Sequence, residues 1–216
     1  MESLKINNKQ FFIYKNDIPK DLKIGASIAI DTETTGLSLI RDRLCVLQLS
    51  DKKDTCHLIK FETDFFRQNQ KPTNLINLLS NHEIEKVFHY ARFDLSMIKK
   101  FFDLNLKNIF CTKIASKLVR TYTDKHGLKD LCKELLEIEI SKSQQSSDWS
   151  VDELSKKQIK YAASDVFYLN DLKNILVKML KRENRHELAL KTFNFLETRV
   201  DLDLMGWHQN DIFSHS

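Results

Sequence analysis

Three short segments hold residues that could do chemistry together. Asp31-Thr32-Glu33-Thr34 carries two carboxylates two positions apart, Phe93-Asp94 carries a third, and Tyr161 and Asp165 add a phenol and a fourth carboxylate. Asp31 and Glu33 follow the apolar run Ser27-Ile28-Ala29-Ile30. A strand places residues two apart on one face, so both acids point the same way. Tyr161 and Asp165 are four apart in a helical stretch and also share a face. Brought together, four acids and a phenol would hold two divalent cations, and such a pair suits cleavage of a phosphodiester. Each segment alone has a plainer reading. An Asp-x-Glu at a strand end is ordinarily a surface turn, an Asp near a helix start is a common cap, and a Tyr–Asp pair can sit on any exposed helix. Only their joint occurrence, in this order, speaks for a site.

The elements that must position these groups follow from periodicity. Residues 27–33 read as a buried strand, and Gly36 permits the turn after it. Residues 43–50 and 54–60 read as two more strands, joined by the polar Asp51-Lys52-Lys53 into an antiparallel hairpin. Phe11-Phe12-Ile13-Tyr14 reads as a short edge strand. Pro72 and Thr73 open a helix to Ser80, and short strands are expected at 85–90 and 108–112. Between those two strands lies a helix carrying Leu95, Ile98, Phe101 and Phe102, and helices near 113–121 and 128–137 follow. Ser155 and Gln158 form a capping-box pattern, with Leu154 and Ile159 placed for the accompanying hydrophobic staple. From there Ile159, Ala162, Val166, Leu169, Leu172, Leu176 and Met179 recur at helical spacing, which predicts one helix to about Lys181. Tyr161 and Asp165 lie at the edge of its apolar stripe. A last helical pattern ends near Met205-Gly206-Trp207. A hairpin sheet followed by βα units predicts an α/β fold, a mixed sheet flanked by helices.

Composition sets the bounds. The 216 residues are enough for one large domain with a substantial core, and 42% hydrophobic with 30% charged residues is an ordinary globular balance. Only four Gly and two Pro argue against an all-β fold rich in tight turns. No apolar run approaches the roughly 18 residues of a membrane span, and the N-terminus lacks the apolar core of a signal peptide. A cytoplasmic protein without membrane contact follows as the default. Cys45, Cys56, Cys111 and Cys132 show no zinc-ligand spacing, so each is expected to pack as a small apolar residue. A net charge of +4 says little about nucleic acid by itself. If the acids gather around cations, the remaining surface is more basic than the total suggests. Arg41, Arg43, Arg92, Arg120, Lys125, Lys129, Lys142, Lys156 and Lys160 are then candidate phosphate contacts, each with the alternative of a solvated surface charge.

The motifs Asp31-x-Glu33-Thr34, Phe93-Asp94 and Tyr161-x-x-x-Asp165 resemble those of the DEDD superfamily of 3′→5′ exonucleases, in its tyrosine-containing branch. Gln145-Ser146-Ser147-Asp148-Trp149, Leu154-Ser155 and Tyr161-Ala162-Ala163-Ser164-Asp165-Val166 are similar to ribonuclease D. The resemblance spans residues 24–180, and it departs from the pattern where His89-Tyr90-Ala91 stands in place of the usual Asn before Phe93-Asp94.

The resemblance implies a ribonuclease H-like fold. It also implies a single exonuclease domain over residues 1–216, without the accessory C-terminal helical domains of larger ribonuclease D proteins. Two divalent ions, Mg²⁺ or Mn²⁺, would be held by Asp31, Glu33, Asp94 and Asp165. In that assignment Asp31 bridges both ions, Glu33 and Asp165 complete the shell of the one that activates water, and Asp94 holds the other. Tyr161 would orient the attacking water, since an ordinary Tyr pKa of ~10 makes a poor base at neutral pH. Thr34, Thr35 and Leu37 would cradle the terminal nucleotide, with Leu37 wedged against its base. His89, Lys142, Gln145, Asp148 and Trp149 would line the cleft. His89 and Trp149 also have the plainer reading of residues that pack near the core. The implied activity is removal of 5′-mononucleotides from RNA 3′ ends, in RNA 3′-end processing. A DNA 3′→5′ exonuclease of proofreading or repair type, acting on single-stranded DNA, is one alternative. An inactive nucleic-acid-binding module is another.

Overall fold

The computed structural model describes residues 1–6, 8–141, 143–144 and 146–215. Lys142 and Gln145, two of the expected cleft residues, lie outside the described residues.

The strands are β1 (Glu2–Ile6), β2 (Lys9–Lys15), β3 (Ser27–Thr34), β4 (Leu44–Lys52), β5 (Thr55–Lys60), β6 (Glu85–Phe88) and β7 (Ile109–Cys111). They form one mixed sheet in the order β1-β2-β5-β4-β3-β6-β7. β3, β4 and β5 are an antiparallel meander, β6 runs parallel to β3, and β7 runs parallel to β6. Ile28, Ala29, Ile30 and every residue from Leu44 to Leu49 are fully buried. Burial on both faces explains why these strands read as near-continuous apolar runs instead of alternating ones. The structure corrects one expectation: Phe11–Tyr14 is not an edge. β2 pairs in parallel with β5, and the edge is β1, whose residues are mostly exposed. The polar Glu2-Ser3-Leu4-Lys5-Ile6 has too little apolar character to be seen as a strand by periodicity.

The helices are α1 (Thr73–Ser80), α2 (Ala91–Phe102), α3 (Thr112–Val119), α4 (Leu128–Leu136), α5 (Lys156–Phe167), α6 (Leu169–Arg182) and α7 (His186–Leu202), with a π-type turn over Asp203–Trp207. The single helix expected from Ser155 to Lys181 is two. It turns at Tyr168 (φ −105°, ψ −5°), so that α5 lies along β3, β4 and β5 while α6 packs against α3, α4 and α7. No Gly or Pro marks the turn, and the apolar stripe runs through it, which is why spacing alone misses it.

Two local devices fix α5. Ser155 Oγ accepts the N–H of Gln158 at 3.3 Å, and Gln158 Oε1 accepts the N–H of Ser155 at 3.0 Å, so the capping box is present. Gln158 Nε2 also donates to Asp148 O at 2.8 Å and Ser147 Oγ at 3.2 Å, tying the preceding loop to the helix start. At the other end of the chain, Asp203 is buried and receives both Arg92 and Arg199, each with an Nη2–Oδ1 distance of 2.6 Å. Arg92 also reaches His208 O at 2.8 Å, so the C-terminal turn is fastened to α2.

Gln158→Ala removes half of the capping box and both ties to the 147–148 backbone and side chain. Its expected cost is about 1–3 kcal/mol of unfolding free energy, the scale of a lost cap plus buried hydrogen bonds, read from urea denaturation. A variant within experimental error of the parent would show that the loop is held by other means.

Candidate active site

The site is built where the end of β3 meets α5 and the start of α2. Asp31 and Glu33 alternate with Thr32 along β3, so the two acids share one face and Thr32 takes the other. On the acids' face stands α5, and carboxylate oxygens of Asp31, Glu33 and Asp165 lie within 4.8 Å of one another. On Thr32's side stands α2, and Thr32 Oγ1 donates to Asp94 Oδ1 at 2.7 Å. Asp94 thus comes in from the opposite face around the strand end, in the first turn of its helix, where the partial positive charge of the N-terminus favours an anion. The register of β3 against β4 shifts between Glu33 and Thr34, where β4 carries one extra residue, Cys45. A bulge at that point re-aims the strand end beside the acids. Asp31 is further fixed by Gln48, its cross-strand partner, whose Nε2 donates to Asp31 Oδ2 at 2.6 Å.

The electrostatics describe a cluster short of positive charge. Burial, then repulsion from Asp94, Asp165 and Glu33, holds the Asp31 carboxyl well above the usual range. Burial, then Asp165 and Asp94, pushes Glu33 up to about 9. Burial raises Asp94 to about 7 against the opposing hydrogen bond from Thr32. Tyr161 is raised too, by burial first and then by Asp165, Glu33 and Asp31, and its phenol hydrogen-bonds Asp165. Acids so crowded cannot all ionise unless a cation joins them. The donors are all oxygen, which suits Mg²⁺ or Mn²⁺ and not the soft metals that prefer sulfur or imidazole.

These residues open on a cleft of about 670 Å³. Thr34, Thr35, Leu37, His89 and Trp149 all line it. The hydroxyls of Thr34 and Thr35 serve the loop itself: Thr34 Oγ1 donates to Gly36 O at 2.5 Å, and Thr35 Oγ1 accepts the N–H of Arg43 at 3.0 Å. Leu37 is 84% exposed, a large apolar side chain at the lip. Trp149 is 2% exposed and packs 6.1 Å, ring to ring, from Tyr161, so it is a wall of the cleft and not an open stacking platform. Its indole N–H has no hydrogen-bond partner among the described residues. Asp148 is a correction: it is exposed, its carboxylate caps Ser150 through N–H and Oγ at 2.8 and 2.5 Å, and it does not line the cleft.

His89 Nδ1 lies 2.9 Å from Thr112 Oγ1, which in turn lies 3.1 Å from Phe88 O, so the ring is held at the end of β6. Among the candidate phosphate contacts, Lys129 lines the cleft, whereas Arg41 pairs with Asp42, Arg92 with Asp203 and Arg120 with Glu134. Sequence reasoning missed Gln48, Tyr90 and Lys113. Gln48 had a signal, a lone amide inside the apolar Leu44-Cys45-Val46-Leu47-Gln48-Leu49. Tyr90 adopts a left-handed backbone (φ 69°), is 46% exposed, and has Lys113 Nζ 4.3 Å from its ring centre, with both residues lining the cleft. For a bulky aromatic residue that conformation is uncommon.

A protein-family model described as 3′-5′ exonuclease matches residues 14–181. The solved structure of Brucella melitensis NrnC bound to pGG is 49% identical in sequence, with a TM-score of 0.89, and the match covers 95% of this chain and 98% of that one. The Brucella protein has also been solved with bound Mg²⁺, at 48% identity over 95% of this chain and 99% of that one, with a TM-score of 0.88. Ribonuclease D of Gluconacetobacter diazotrophicus is 32% identical over 158 residues, 73% of this chain, and the chain spans 39% of that relative's length. DNA polymerase I of Aquifex aeolicus is 33% identical over 175 residues, 80% of this chain and 28% of that protein.

The crowded acids carry a pH signature. Glu33 is raised in the folded state from an unfolded value of ~4.3, so the native protein keeps a proton that the unfolded chain has already lost. Its contribution is fully present below the unfolded value and is lost as pH rises through about 9. In EDTA, the urea midpoint should therefore fall between pH 5 and 9, saturating Mn²⁺ should flatten the fall, and Asp31→Asn should flatten it without metal. A midpoint in EDTA that does not depend on pH over this window would contradict the charge crowding.

Proposed function

The chain belongs to the 3′–5′ exonuclease family, and from that premise we propose that it hydrolyses short RNA from the 3′ end, releasing nucleoside 5′-monophosphates. One observation carries this reading: four acids and a phenol from three separate elements converge at a single cleft. The volume of that cleft falls within the range of small-ligand pockets, on the order of 300–1,000 Å³. That favours a substrate end of one or two nucleotides over a long bound strand, and pGG on the Brucella relative points the same way. The enzyme's divalent ions, Mg²⁺ or Mn²⁺, would be held by Asp31, Glu33 and Asp165 together, with Asp94 reaching from the other face. When bound, such ions supply Lewis acidity, a more acidic water and charge neutralisation at the phosphate.

The chain's own residues do the rest. Asp31, steadied by Gln48, and Asp94, steadied by Thr32, keep their oxygens aimed into the cleft. Tyr161 stays protonated at neutral pH, so its phenol orients the attacking water instead of deprotonating it. Water adds to phosphorus, the bond to the 3′ oxygen of the preceding nucleotide breaks, and that oxygen takes a proton. Glu33 and the backbone from Thr35 to Leu37 meet the free 3′-OH end, and Leu37 lies against the terminal base. Lys113 and Lys129 give the cleft its positive charge for the phosphates on the 5′ side.

A DNA reading has its own support in the likeness to DNA polymerase I. A panel of 5′-phosphorylated RNA and DNA oligonucleotides, from dinucleotide to 20-mer, separates the readings with Mg²⁺ and with Mn²⁺. The highest kcat/KM is expected on the shortest RNA. A preference for long structured RNA would return the chain to a trimming role, and a preference for DNA would favour the second reading. A 3′-phosphate should block digestion, whereas cuts within a circular RNA would exclude an exonuclease.

Tyr161→Phe keeps the ring against Trp149 and deletes one hydroxyl. Single-turnover rate should fall by ~10²–10⁴-fold, while RNA affinity measured in Ca²⁺ stays near that of the parent. A Phe variant with undiminished rate removes the phenol from the mechanism.

A further inference from the structure

We propose that Lys100 is a positioning residue for the substrate's terminal nucleotide, holding from behind the loop that presents Leu37 to the cleft. The inference rests on the role given to Leu37 under the proposed function. Lys100 lies in the last turn of α2. An ammonium has three N–H donors, and Lys100 Nζ meets three backbone carbonyls of one loop: Leu39 O at 2.8 Å, Ile40 O at 2.9 Å and Asp42 O at 3.0 Å. One side chain thus gathers three carbonyls that lie within four consecutive residues.

The loop has reason to need it. Leu37 and Ile40 are 84% and 78% exposed, so neither is anchored by packing. What shapes the segment is polar. The Asp42 carboxylate accepts the N–H of Ser38 at 2.8 Å, and the N–H of Asp42 donates to Ser38 O at 2.9 Å. Asp42 Oδ2 comes so near Gly36 that a Cβ there would lie 2.5 Å from it, which leaves no room for a side chain. These bonds close the loop on itself but do not fix it to the body of the protein. Lys100 does, and it does so from the helix whose first turn carries Asp94. Six residues of helix separate the two, a rise of about 9 Å. One rigid element therefore sets both an acid of the cation site and the seat of the apolar lip. The spacing between the scissile phosphate and the terminal base is held by α2.

The test is a double-mutant cycle of Lys100→Met and Leu37→Ala, with Lys100→Arg as the conservative variant. kcat and KM are measured on a 5′-phosphorylated dinucleotide, and Mn²⁺ affinity by electron paramagnetic resonance. Lys100→Met should raise KM about tenfold, the scale of one lost charge-assisted tie, with kcat within about twofold and Mn²⁺ affinity unchanged. Lys100→Arg should recover part of the loss. Leu37→Ala should raise KM in the parent and add little in the Lys100→Met background, since both act through the same contact. If Leu37→Ala raises KM and Lys100→Met does not, the clamp is wrong and the role of Leu37 stands. If Leu37→Ala leaves KM unchanged, both fall. A loss of Mn²⁺ affinity in Lys100→Met would show general damage to α2 and would also overturn the clamp.

Discussion

Mutual repulsion among buried carboxylates is the constraint on which the rest depends. Asp31, Glu33, Asp94 and Asp165 occupy a volume where like charges disfavour one another, and each is taken partly out of water. Left to themselves, side chains so placed would swing away. The fold prevents this by supplying each acid from an element that cannot yield. β3 is hydrogen-bonded on both edges, α5 is capped and lies across the meander, and α2 is fastened to the C-terminal turn through Arg92 and Asp203. Gln48 and Thr32 then set individual oxygens. The arrangement is costly without a cation and receptive to one, the usual condition of a preorganised site.

The same constraint explains where the positive charge goes. The net charge of +4 is mild, and several of the cations are engaged structurally. Arg92 and Arg199 neutralise one buried aspartate, Arg120 is enclosed with Glu134 and the carbonyl of Lys125, and Lys86 is buried against the carbonyls of Asn81 and Lys107. Among the described residues, Lys113 and Lys129 are the basic ones that line the cleft. Those two cations therefore stand beside the acids, where a phosphate would meet both.

Much of this was legible in the chain. The acids on β3 were visible because strand alternation and an apolar run are both short-range signals, and the start of α5 because a capping box is written in two residues. The turn at Tyr168 was not, since the apolar stripe continues unbroken on either side and the bend answers to which strands and helices lie beneath. β1 was missed for the converse reason: an edge strand needs little apolar surface. Gln48 could have been found as an amide in an apolar run, but its partner could not, because cross-strand register is set by the bulge at Cys45. Asp148 was read as a cleft residue from its motif, while its carboxylate turns back on Ser150. Motif proximity gives the neighbourhood of a residue, and the direction of its side chain is decided by the nearest donor.

Trp149 has a further meaning beyond the wall it forms. Its indole is sealed from solvent, stands ring to ring with Tyr161, and belongs to the same cleft as the acids. The chain has only two tryptophans, and the other, Trp207, lies partly exposed at the far C-terminal turn. With Trp207 replaced by Phe, the protein would carry a single tryptophan, its ring 6.1 Å from that of Tyr161. Each change of charge or occupancy there would be written into the colour and lifetime of one emission band, so the molecule comes with its own optical reporter.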